Sequence, residues 1–235
     1  IRCLCRRGEP ERAEAFAREA LENGGLLDDG GIWAEWSLAT FGDLRRPLSD
    51  ALASWPTGAA AKSRHGAELR SIVEDLSTRG AVRINCGGDR IETEDGVVWS
   101  DDKLFLGGMY LFGESRTRGG SPARAAGRTA HKESQRAFPG DQQIRPAYRV
   151  PIPPGRYTAT LHCAERYARS PGERVFDILL EGNVVLEGYE PPRELDSPVG
   201  ITSFEVDVRD GFLDIDFLSV RGSPVISALE IERAE

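Results

Sequence analysis

The sequence predicts two segments of different class, α+β by segment: a helical-hairpin segment over 1–79 and an all-β sandwich of jelly-roll type over 81–235. Three observations carry this reading. Apolar residues recur at helical spacing up to Gly80 and alternate with period 2 after it. The second segment holds many short β-type runs separated by Gly/Pro turns, with almost no helical pattern. The 235 residues, 40% hydrophobic and 29% charged, are enough for one large or two small domains with a real core and no disulfide or metal staple.

In the first segment, Glu9-Pro10 opens a helix that carries Ala13, Phe16, Ala17, Ala20 and Leu21 on one stripe and closes at Asn23-Gly24-Gly25. A second helix is expected over 31–41 with Trp33 and Trp36. A third starts near Pro47 and ends at Pro56, and a fourth covers 62–78 with Leu69, Ile72, Val73 and Leu76 on one face. The stretch GEPERAEAFAREAL (8–21) resembles the second helix of a tetratricopeptide repeat, and Ile32 to Trp55 resembles a further degenerate unit. The resemblance implies a truncated helical scaffold that contacts a protein partner.

In the second segment, 81–86, 157–163, 174–180 and 183–186 read as strands, the last two joined at Glu181-Gly182. Phe204, Val206 and Val208 alternate with acids and Arg209. Asp210-Gly211 is a hairpin turn signal, followed by Leu213, Ile215 and Phe217 in alternation with Asp214 and Asp216. Residues 225–231 are apolar on both faces, as a buried strand would be. The segment needs no helix to cover it and is expected to fold alone. Residues 115–149 break the acidic pattern with a net charge of +6, and 113–130 is expected to be an exposed, mobile loop because it lacks apolar anchors.

Several stretches occur in a fixed order: RINCGGD (83–89), WSDDKLFLGG (99–108), YRVPIPPGRYTATLHCAE (148–165), RVFDILLEG (174–182), DVRDGFLDIDF (207–217) and PVISALEI (224–231). This series resembles the malectin family of carbohydrate-binding domains over most of 81–235. The resemblance implies a β-sandwich whose loops at one end bind a glucose-containing or related oligosaccharide without catalysis. Aromatic rings suit that role, because sugar C–H faces stack on them while polar neighbours bond the hydroxyls. Tyr167, just beyond Ala164-Glu165, matches a family aromatic position. Tyr110 after Gly107-Gly108 matches another, and Phe138 a third. The family's acid falls at Gly222, with Arg221 the nearest charged neighbour, and Ala168 stands where a second aromatic is expected. The implied carbohydrate-binding set is therefore Tyr110, Phe138, Tyr167 and Arg221. The two departures keep open the alternative of a protein-interaction or structural module that has lost sugar binding.

The net charge of −8, from 30 basic and 38 acidic residues, argues against nucleic-acid binding, and no apolar run reaches the length of about 18 residues that suggests a membrane span. No phosphate loop, nucleophile elbow or HExxH is present, so no cofactor is expected. His65 and His131 lack ligand spacing, so no metal is expected either. Glu165 and Asp177 are read as structural strand residues rather than a glycosidase pair. His162 alternates outward from Leu161 and Cys163 and is read as a sheet-face histidine. Cys86 and Cys163 are read as buried thiols, with a bridge between them left open. Malectin-type domains and tetratricopeptide-like repeats point to different compartments, so the sequence fixes no localisation.

Overall fold

The alternating runs fold as two facing antiparallel sheets. The computed structural model describes residues 71–72, 74–76, 78–93, 95–112, 134–139, 145–192 and 200–234, together with residues 7, 9, 11, 12 and 15. One sheet has the order β1 (Ala81–Asn85), β14 (Ala228–Arg233), β8 (Gly155–Cys163), β11 (Gly200–Val208). The other has β10 (Asn183–Tyr189), β9 (Val175–Leu180), β12 (Phe212–Arg221), β7 (Ala147–Pro151), β4 (Phe105–Leu106). A small sheet of β13 (Val225–Ile226), β6 (Ser134–Ala137) and β5 (Met109–Phe112) lies beside them, with a two-stranded ribbon of β2 (Ile91–Glu92) and β3 (Val98–Trp99).

The period-2 pattern sets which side chains meet between the sheets. Along β8, Tyr157, Ala159, Leu161 and Cys163 are buried, and on β9 and β12 Phe176, Ile178, Ile215 and Phe217 join them in one core. Phe138 stacks on Phe217 with centroids 5.0 Å apart. Beneath the rings, Tyr148 donates to Asp102 at 2.7 Å and the Arg136 guanidinium pairs with the same carboxylate at 2.5 Å. Arg136 also covers the Phe105 ring at 3.3 Å, so a nearly unexposed cation has both an anion and a π-face to offset its desolvation. Burial raises the Asp102 carboxyl above its ordinary value, and Arg136 opposes that rise. Gly87, in the 83–89 motif, is at φ +75°, and a Cβ there would lie 2.1 Å from the Gln135 carbonyl oxygen. The glycine lets β6 approach the first strand closely.

The expected fold class is corrected by these observations. The described residues form a β-sandwich and not an α+β arrangement by segment, and among them there is no helical hairpin of the tetratricopeptide kind. Helix among them is confined to 11–12, to residue 15 and to a short piece within 71–79. The helices expected over 9–25, 31–41 and 47–55 otherwise lie outside the described residues. Short amphipathic helices draw their stability from what they pack on. The piece within 71–79 packs on the sandwich: Ile72 is fully buried and Leu76 nearly so, both in the same core as the strands, and Lys103 donates to Ser71 Oγ at 3.2 Å.

Three smaller expectations also change or fall away. The run 225–231 is two strands rather than one, broken at Ser227, whose amide donates to the His162 carbonyl at 2.8 Å. His162 is buried, because Trp99 covers it edge-on at 5.5 Å. The basic loop 113–130 lies outside the described residues. Cys86 and Cys163 are buried free thiols. Burial pushes the Cys163 thiol up to about 12 and raises Cys86 as well. No helix among the described residues is long and apolar enough to cross a membrane.

Candidate functional site

A cleft of about 280 Å³ opens at the end of the sandwich where β8 passes into β9. The connection between these strands begins with Glu165, which is 7% exposed. Its Oε1 accepts the backbone amides of Tyr167 and Ala168, each at 2.7 Å. Its Oε2 is ion-paired with Arg174 Nε, and Arg174 Nη1 donates to the Ser223 carbonyl. One carboxylate therefore fixes both ends of the connection and ties it to the turn after β12. Burial alone would raise the Glu165 carboxyl. The Arg174 guanidinium and the two amides outweigh burial and hold it below its ordinary value.

Within the connection, the Arg169 amide donates to Glu173 Oε2 at 2.7 Å and the Gly172 amide to Glu190 Oε1 at 2.6 Å. This bonding of backbone to carboxylates gives the loop a fixed shape with few apolar anchors. Tyr167, 45% exposed, and Met109, 49% exposed, line the cleft together with Ala168 and Arg174. Gly222 closes it on the side of the turn after β12. It is at φ +69°, and a Cβ there would lie 2.6 Å from the Glu173 carbonyl oxygen. A side chain is excluded at this position by backbone.

The four residues expected to bind sugar lie on different elements. Tyr167 lines the cleft. Tyr110 is in strand β5, in register with Arg136, and not in the loop that the paired glycines suggested. Phe138 is corrected: it has no exposed surface and stacks on Phe217 in the core, while its neighbours Ala137 and Pro139 line the cleft. Arg221 ends β12 in register with Val175 and is exposed beside Gly222, without lining the cleft. Sequence reasoning missed Met109 and Arg174. The signal for Met109 was an apolar side chain directly after Gly107-Gly108. Nothing in the sequence pairs Arg174 with Glu165.

The acids do not make an open pair. Glu165 is taken up by Tyr167, Ala168 and Arg174, and Asp177 accepts the Gly188 amide at 2.7 Å. Among the described residues, no group of three or more His, Cys, Asp or Glu side chains is placed to hold a metal ion.

No curated protein sequence matches the chain significantly. Among solved structures, a calcium-binding mutant of Bacteroides uniformis beta-glucuronidase 2 is similar at 18% identity and a TM-score of 0.50, covering 66% of this chain and 18% of that one. The plant receptor-like kinase FER is similar at 16% identity and a TM-score of 0.49, covering 66% of this chain and 42% of that one. The ANX2 ectodomain from Arabidopsis thaliana is similar at 14% identity and a TM-score of 0.49, over 66% of this chain and 49% of that one. The chain thus spans less than half the length of each of these proteins. At such identities the first likeness speaks to the fold alone, and the two plant structures carry no argument. The family comparison is stronger: the model described as "Malectin domain" matches residues 81–229. With most of the chain matched in this way, the protein belongs to the malectin domain family.

Proposed function

We propose that the chain binds a carbohydrate, without catalysis, in the cleft beside Tyr167. The observation that supports this best is a half-exposed aromatic ring on a loop held rigid from below. The Glu165–Arg174 pair sets the backbone at Tyr167 and Ala168, so the entropy cost of ordering the platform is met in the free protein. Tyr167 and Met109 supply apolar surface for a sugar face, and backbone groups around Gly222 supply polar partners at close approach. With Ala168 and Gly222 in place of larger groups, the cleft differs from the glucose site that the resemblance implied, so the glycan is left open. The same two positions favour the second reading, a module that binds protein and not sugar.

A glycan array probed with the full chain tests the choice. Binding to a coherent set of oligosaccharides, competed by the free sugar, is the expected result. Silence across glucans and other glycans would move the assignment to protein recognition, and release of reducing sugar would overturn the non-catalytic reading.

A further inference from the structure

A second cleft, of about 410 Å³, lies at the opposite end of β9 from Arg174, between the β9–β10 turn and the last residues of β11. Its floor is apolar, with Leu180 and Val206 buried and Val185 partly so. Its rim carries Glu181, Glu205, Asp207 and Arg209. Asp207 is paired with Arg156 at 3.4 Å and Glu181 accepts the Asp214 amide at 2.7 Å, which leaves the rim with more carboxylates than cations. The volume falls in the range of about 300–1,000 Å³ usual for ligand clefts.

The strand that borders this cleft, β11, is an edge strand among the described residues. β11 is nine residues long, pairs with β8 in unbroken register from Gly200 to Val208, and among the described residues no strand pairs with its other side. The edge strand of the facing sheet, β10, carries two register irregularities that blunt it, and β11 has none. A long regular edge offers a row of amides and carbonyls to an incoming strand, and proteins usually disrupt such edges. Charge selects among occupants. The rim of the cleft holds more carboxylates than cations, so docking the same edge of a second copy would bring two acidic rims together.

We propose that β11 and the cleft beside it dock an extended, basic segment of a partner protein by strand addition. The added strand would bond to the open edge of β11, and alternate side chains would turn into the cleft. By alternation Glu205 and Asp207 lie on the opposite face of β11 from Val206, so apolar side chains of the added strand would turn over Val185 and Val206 while its lysines or arginines would stand beside Glu205 and Asp207. This surface is distinct from the Tyr167 cleft and stands whether or not that cleft binds sugar.

The test uses the full chain and a labelled nine-residue peptide of alternating lysine and valine, with oligolysine of equal charge and an alternating glutamate–valine peptide as controls. Binding of the lysine–valine peptide, slowed amide exchange over 200–208 and not over β1, and at least tenfold weaker binding in the Glu205→Lys/Asp207→Lys variant at unchanged melting temperature would support the proposal. No binding would overturn it. So would equal binding of oligolysine without protection of β11, which is charge attraction alone. A concentration-dependent dimer that protects β11 without peptide would overturn it in favour of a second copy as occupant.

Discussion

Glu165 and Tyr167 are joined across two residues: the buried carboxylate of Glu165 accepts the backbone amide of Tyr167 at 2.7 Å, so an inward-facing acid sets the backbone from which an exposed ring extends. Replacing the acid is therefore expected to act on the loop before it acts on any ligand. Glu165→Ala leaves the Arg174 guanidinium without its anion in a largely buried site, and breaking such a pair costs about 3 kcal/mol or more. Urea unfolding of the variant checks this. A loss within a few tenths of a kcal/mol would show that the pair does not hold the loop.

The same pair carries a pH signature. The Glu165 carboxyl is held below its ordinary value in the folded chain, so its contribution is fully present above the unfolded value of about 4.3 and is lost as pH falls through the lower folded value. Stability measured against pH for the wild type and Glu165→Gln should differ most at neutral pH and converge on acidification below pH 4. A gap that widens on acidification would contradict the assigned direction.

Gly222 is expected to tolerate no side chain. At φ +69°, with a Cβ position 2.6 Å from the Glu173 carbonyl oxygen, Gly222→Ala combines a left-handed backbone cost of about 1–2 kcal/mol with a steric clash. Gly222→Asp, which would place an acid at the family position, should be at least as destabilising. Thermal melts of both variants give the answer, and a neutral Gly222→Asp would mean that the turn after β12 can move.

The strands were legible because alternation marks them directly: 174–180 is β9 almost residue for residue, and Cys86 and Cys163 were placed inside by the same pattern. What was not legible depends on distant partners. Phe138 follows a four-residue strand and precedes a proline, which reads locally as a loop, and only stacking on Phe217 puts it in the core. The Glu165–Arg174 pair is a matter of loop geometry, which no periodicity encodes. Ile72 and Leu76 were expected on one face of a helix over 62–78 with Leu69 and Val73, which lie outside the described residues; Ile72 and Leu76 pack on the sandwich.

That packing bears on where the folding unit begins. With Ile72 fully buried and Leu76 in the same core, Ile72→Ala in the full chain should cost about 2–4 kcal/mol, the range for removing a buried aliphatic side chain. A piece starting at 71 should melt at a higher temperature than one starting at 81. Equal melting of the two pieces would show that the packing of Ile72 and Leu76 adds nothing to 81–235.

The central claim is that Tyr167 is a ligand platform, and its most direct test measures binding and stability on the same variant. Tyr167→Ala should weaken binding of the array-selected oligosaccharide by about 1–2 kcal/mol, in line with aromatic contact energies, with the melting temperature nearly unchanged, because the ring is 45% exposed. Phe138→Ala, from the core, should show the opposite pattern, a stability loss of about 3–5 kcal/mol. Unchanged affinity in Tyr167→Ala, or a melting drop as large as that of Phe138→Ala, would contradict the account.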